Sequence, residues 1–168
     1  MSKNTLLISV ATVKERSVVH ENMDDKLVYS HIKTAQDMWI REALGDSLME
    51  RLQAGIENED LTTDENYLID HYIIDSLVFF TIAEMPLGAS YQFFTKGALR
   101  RTSDQTELPS LSDMLDISAQ YQSKGEYYRE RLIKYLKNNK TMFPQYTECQ
   151  DDINPSSSGY SAPMWLGD

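Results

Sequence analysis

The sequence predicts an all-α fold: a compact helical bundle of about four to five helices, with a short extended N-terminal segment and an extended C-terminal tail. Three observations carry this. Apolar residues recur at spacings of three and four in several long stretches, the pattern of helices with one buried face. These stretches are bounded by capping residues or glycine. The clearest β-branched run, "TLLISVATV" at residues 5–13, is confined to the N-terminus and fits a strand or an extended arm. A length of 168 residues corresponds to one helical domain, placed at 1–143, with an appended arm at 144–168.

The first long helix follows "ENMDD", where Asp24 or Asp25 can cap an N-terminus. Val28, Ile32, Ala35, Trp39 and Ala43 then form one stripe. Gly45 ends it, because glycine reaches positive φ without a Cβ clash, and Asp46 or Ser47 opens a second helix bearing Leu48, Leu52 and Ile56. A helix stopped at a glycine and restarted at once makes a corner, for which Trp39, Leu44, Gly45 and Leu48 are the expected packing residues.

After the acidic "ENEDLTTDENY", a solvated loop, Thr62, Thr63 or Asp64 caps a third helix. Between Tyr72 and Ala83 it is apolar on almost every side, so it is expected at the centre of the domain or between subunits. Pro86 should bend or end it, with "LGASYQFF" adding another turn or two. "TKGALRRTSDQTELPS" has no helical pattern and is read as a loop or β-hairpin excursion near 95–109. Ser110 or Ser112 opens the last helix, whose seam is Leu111, Met114, Ser118, Tyr121, Gly125, Tyr128, Leu132 and Tyr135. A glycine in mid-helix costs about 1 kcal/mol relative to alanine, so Gly125 marks a close approach or a kink. After Asn139 the periodicity ends.

The formal net charge of −10 argues against a protein built to grip nucleic acid, which needs clustered Lys and Arg. It leaves open a wall that DNA must slide past without sticking, where like charge is useful. The single Cys149 provides neither an internal disulfide nor a multi-cysteine zinc site. No run approaches the ~20 apolar residues of a membrane span, so no membrane partner is expected and the chain is read as soluble and cytosolic when made.

His20, His31 and His71 share no metal-ligand spacing. His71 and Asp75 are one helical turn apart, but two ligands on one face are a weak basis for a metal. Glu57, Glu59, Asp60 and Asp64 lack the alternating ligands and central glycine of a calcium loop. With no glycine-rich phosphate cradle and no nucleophile elbow, no cofactor and no enzymatic activity are expected. Two features stand above this background. Lys96, Arg100 and Arg101 form a small basic spot, either ordinary surface charge or a contact for an acidic neighbour or a passing phosphate backbone. In "GYSAPMWLGD", Tyr160, Pro163, Met164, Trp165 and Leu166 put large anchors on a segment with no periodicity, which suits docking on a partner. The plainer reading is that this tail covers its own domain. A small helical regulatory module that recruits a partner through this motif is the alternative function.

The run "IKTAQDMWIREALGDSLMERL", followed in order by "YLIDHYIIDSLVFF", "TKGALRRTS", "YYRERLIKYLKNN" and "FPQY", resembles helical head–tail connector proteins of tailed bacteriophages, most closely those of crAss-like phages of Bacteroidetes hosts. The resemblance covers residues 5 to 146 and its motifs are structural. It implies a virion neck protein, made in the host cytoplasm, that forms a ring of about twelve copies under the portal. Such a ring extends the DNA channel and joins the capsid vertex to the next neck or tail protein. Genomic DNA would pass through without specific binding, and a C-terminal arm would reach the portal protein.

Overall fold

A computed structural model describes residues 5–94, 97–100 and 110–146, with 87–94 and 97–100 given by backbone alone. Helix α1 (Val10–Glu15) is followed by α2 (Asp25–Ala35), which runs through a π-helical turn at Gln36–Ile40 into α3 (Arg41–Leu44). Helix α4 (Asp46–Asn58) comes next. Helix α5 (Thr63–Leu68) then runs through a second π-turn, Ile69–Ile73, into α6 (Ile74–Ser90). Strands β1 (Tyr91–Phe94) and β2 (Gly97–Arg100) form an antiparallel hairpin, and α7 (Leu111–Asn138) closes the bundle. The architecture is helical as expected, with the hairpin as its one excursion among the described residues.

Helix α6 occupies the centre, as its nearly all-round apolar surface requires. Ile73, Leu77, Val78, Phe80 and Ile82 are buried. Two buried hydroxyls on it are satisfied: Thr81 donates to the Leu77 carbonyl at 2.7 Å, and Ser76 reaches across to the Gly125 carbonyl at 3.1 Å. Thr62 caps the upstream end in a full capping box with Glu65. Pro86 does not end the helix, which continues to Ser90. The hairpin starts at Tyr91, earlier than position 95, within a stretch expected to be helical. The aromatic "YQFF" favours extended backbone, and it pairs in register from Tyr91↔Arg100 to Phe94↔Gly97.

Helix α7 lies along α6. Ser110 caps it reciprocally with Asp113, and those hydrogen bonds hold the Asp113 carboxyl below the usual carboxylate range. Met114, Gly125, Leu132 and Leu136 are buried along the seam, while Leu111 in the first turn is exposed and lies outside it. Both small seam residues are contact points. The Ser118 hydroxyl donates to the Ala83 carbonyl at 2.5 Å. A Cβ placed on Gly125 would lie 2.8 Å from Cδ1 and Cε1 of Phe80, so the Phe80 ring sits where any other side chain would begin. The other face of Phe80 carries Trp39, stacked at 4.8 Å between centroids and 4° between planes.

This stacking alters the expected corner. Gly45 adopts φ 75° and ψ 158°, a region that only glycine enters at low cost, and it turns the chain between α3 and α4. Leu44 and Leu48 fill the corner and are fully buried. Trp39 is only partly buried and engages α6 instead. The N-cap of α4 is Gly45 itself, without a side-chain bond. Asp46 takes the first helical position, where its carboxylate accepts from Arg41 Nη1 at 2.9 Å.

The N-terminus departs from the strand reading. Residues 5–9 have no regular structure, and Ser9 caps α1 by accepting from the Thr12 N–H at 3.0 Å. Two glutamines hold the preceding segment. The Leu7 N–H donates to Gln36 Oε1 at 2.7 Å, and Gln36 Nε2 and Gln53 Nε2 both donate to the Thr5 carbonyl, at 3.1 and 2.8 Å. This pairs the Leu7 N–H and the Thr5 carbonyl where Leu7 and Ile8 enter the core; left unpaired, those two groups would oppose burial. At the other end, Phe143 is buried and Tyr146 packs partly against the core.

Two expectations follow. Gly125→Ala should lower stability to urea by about 1–3 kcal/mol through overpacking against Phe80, although alanine is the better helix former. Unchanged or raised stability would refute the contact. His31, on α2, has its Nε2 buried without a hydrogen-bond partner among the described residues. Burial lowers its pKa below the ordinary 6.5, and Glu84 opposes this. The unfolded chain therefore takes up that proton first, so the His31 contribution is complete above pH 6.5 and declines as pH falls below it. Comparison of wild type with His31→Gln by thermal melts across pH 5–8 should show a shallower acid loss in the variant. Parallel curves would contradict this origin.

Candidate interaction surface

Along the outer edge of the α6–α7 contact, aromatic rings from both helices meet in an almost continuous strip. On α7, Tyr121, Lys124, Tyr128, Arg131 and Tyr135 recur every three or four residues and share one face. Opposite them stand Tyr72, in the second π-turn, and Phe79 on α6. Tyr72 and Tyr135 stack at 4.1 Å, and Phe79 lies 5.4 Å from Tyr128 and 6.3 Å from Tyr121, in both cases close to parallel. Tyr67 extends the group at one end, 6.2 Å from Tyr135. Tyr127, the most exposed of these rings, sits edge-on to Tyr128 at 5.3 Å.

Two cations lie on this strip. Lys124 Nζ is 4.7 Å from the Tyr121 centroid, and the Arg131 guanidinium is 5.5 Å from Tyr128 and 5.9 Å from Tyr72. Such contacts contribute about 0.5–1 kcal/mol at exposed sites. Neither cation has a carboxylate within ion-pair distance among the described residues. Arg129 and Arg51, by contrast, are paired. Arg129 bridges Glu42 and Glu126, both at 2.9 Å. Arg51 is held by both oxygens of Glu65 at 2.9 Å and by Asp60 Oδ1 at 2.8 Å. The strip is therefore a place where an acidic molecule presents aromatic surface and unneutralised positive charge together. Burial, and then the neighbouring Tyr72, Tyr67 and Asp64, raises the Tyr135 hydroxyl above its ordinary pKa, so it stays a neutral hydrogen-bonding group. The arrangement suits binding of apolar or acidic side chains; Tyr and Arg are prominent among the residues that dominate protein interfaces.

Tyr121, Tyr128 and Tyr135 were placed on the packed seam by periodicity alone. Their rings lie at its edge and remain part-exposed. The missed signal is the interleaving of Lys124 and Arg131 on that face, which is incompatible with a dry core.

Of the residues expected to bind partners, Arg100 ends β2 and is given by backbone alone. Lys96, Arg101, Cys149, Tyr160, Pro163, Met164, Trp165 and Leu166 lie outside the described residues. His71 and Asp75 part company: His71 packs 4.3 Å from Tyr67, and Asp75 faces Arg16 at 3.8 Å. No group of three or more potential metal-ligating side chains occurs among the described residues. Within the acidic loop, Asp60 is tied to Arg51 and Glu59 adopts φ 56° at the end of α4. No helix of the described residues is long and apolar enough to cross a membrane.

A family model described as a family of unknown function (DUF6712) matches residues 40–154, and the chain belongs to that family. Neither the curated proteins nor the solved structures contain a match.

Proposed function

We propose that this protein is a structural component of a phage neck, assembling as a ring under the portal and joining the capsid vertex to the next neck or tail protein. The observation that carries the reading is a pair of unlike surfaces on α7. The aromatic and cationic strip spans Tyr121 to Tyr135. The first two turns expose Leu111, Leu115 and Ile117. A head-to-tail ring joins one face of each subunit to a different face of the next, and these two surfaces provide that asymmetry. The resemblance of its ordered motifs to those of connector proteins supports the same reading. The charge of −10 suits a channel wall that lets DNA pass without holding it. The C-terminal anchors Tyr160, Pro163, Met164, Trp165 and Leu166 provide a contact to the portal, and Lys96, Arg100 and Arg101 a contact between subunits or towards the lumen.

Native mass spectrometry of the complex isolated from particles or host lysate tests this. The expected result is about twelve copies joined to a larger ring-forming protein, with Tyr128→Asp and Arg131→Glu together reducing the copies retained. A single copy on one soluble partner, absent from particles, would replace the reading with a small regulatory module that recruits its partner through the tail motif.

A further inference from the structure

A cleft of about 440 Å³ opens between the loop after α1 and the α6–α7 edge. Its floor is Phe79, Ile82 and Tyr121, and Val18 stands over it, 75% exposed. A valine so exposed, next to aromatic rings, leaves an apolar opening without a cover. The rim carries both signs, and Lys124 is its cation without an ion pair: it has no carboxylate partner among the described residues, and Arg16 has only Asp75 at 3.8 Å, beyond hydrogen-bond reach. Among the described residues, Glu15 is the one acidic lining residue. On a chain of net charge −10, an apolar floor under two cations favours an occupant that combines an aromatic anchor with acidic groups.

The chain carries such a segment. Residues 160–168, "YSAPMWLGD", contain Trp165 flanked by Met164 and Leu166, with Asp168 three positions on, and the linker before them holds Glu148, Asp151 and Asp152. Its reach fits. At 1.5 Å rise per residue, Lys124 lies roughly 20 Å back along α7 from Asn138. Residues 147–159 span up to about 43 Å when extended, more than enough to return along that helix. A short tether also gives its segment an effective concentration in the millimolar range, well above that of a second copy in dilute solution. We propose that residues 160–168 dock on their own domain in this cleft, with Trp165 against Phe79, Ile82 and Tyr121 and the acidic groups facing Arg16 and Lys124. The tail is thereby stored on the subunit, and a partner that takes Trp165 must first draw it out. This goes beyond the ring proposal and does not depend on it.

Fluorine NMR of the full chain labelled with 5-fluorotryptophan provides the test, since Trp39 and Trp165 are its two tryptophans. Trp165→Phe assigns the resonances. In the wild-type protein the Trp165 signal should stand away from the free-indole position and stay there on dilution. Val18→Asp, and separately Lys124→Glu, should each move it towards the free position, with the Trp39 signal unmoved as the control for folding. A Trp165 signal at the free position in the wild type would overturn the proposal. So would a shifted signal indifferent to both substitutions, which would place the tail elsewhere, such as the uncharged groove of about 540 Å³ beside Leu6, Ile8 and Ile56. A shift lost on dilution would mean that the cleft holds the tail of a second copy, and the proposal of docking in the same chain would fail.

Discussion

The contact on which the rest depends is the seating of Phe80 against the bare backbone of Gly125. A Cβ at position 125 would come within 2.8 Å of the ring, well inside ordinary carbon contact distance. Helices α6 and α7 therefore approach more closely than two side-chain-bearing surfaces allow. At that spacing, the Ser76 hydroxyl reaches the Gly125 carbonyl and the Ser118 hydroxyl reaches the Ala83 carbonyl. Each such bond adds a net 0.5–1.5 kcal/mol or so; leaving these partly or fully buried groups unpaired would cost more. Trp39 then covers the far face of Phe80, so one ring links three helices. The outer edge inherits the same spacing: Phe79 and Tyr72 meet the α7 tyrosines at stacking distance because the glycine brings the two backbones together.

Electrostatics divides the molecule differently. The acidic majority is partly compensated by ion pairs, among them Arg51 with Asp60 and Glu65 and Arg129 with Glu42 and Glu126. The exposed members of these pairs contribute little, about 0–1 kcal/mol each. Glu65 differs: it is nearly buried, paired through both oxygens with Arg51, and also accepts from the Thr62 N–H at 2.8 Å. Removing Arg51 would leave that carboxylate uncompensated, the costly way to break such a pair. These pairings leave Lys124 and Arg131 with ring faces as their partners. Positive charge is thus available on the α6–α7 edge, which is also where the aromatic surface lies.

Much of the fold was legible in the sequence because local signals agreed with tertiary ones. Asp24, Thr62 and Ser110, each one of the alternatives offered, cap their helices, whereas Gly45 takes the cap position expected of Asp46 or Ser47. Gly45 turns the chain, the apolar run from Tyr72 to Ala83 is central, and Gly125 marks a close approach. What the pattern did not disclose depended on partners remote in sequence. Trp39 had the right period for the corner, but its stacking partner, Phe80, lies in another helix. The N-terminal run had β-branched residues, yet Ser9 capping and the distant Gln36 and Gln53 bonds led to a short helix preceded by a tethered segment. The strip was read as core because periodicity shows which residues share a face and says nothing of how deeply that face is covered.

The most direct measurement of the central contact is the chemical shift of the Gly125 α-protons in the folded chain. One of them occupies the position from which a Cβ would meet the Phe80 ring. The close approach predicts that this proton is displaced well upfield by the ring current, and that Phe80→Leu returns it to the ordinary glycine range. Two α-protons at ordinary positions in the wild-type protein would contradict the contact, and with it the geometry assigned to the α6–α7 edge.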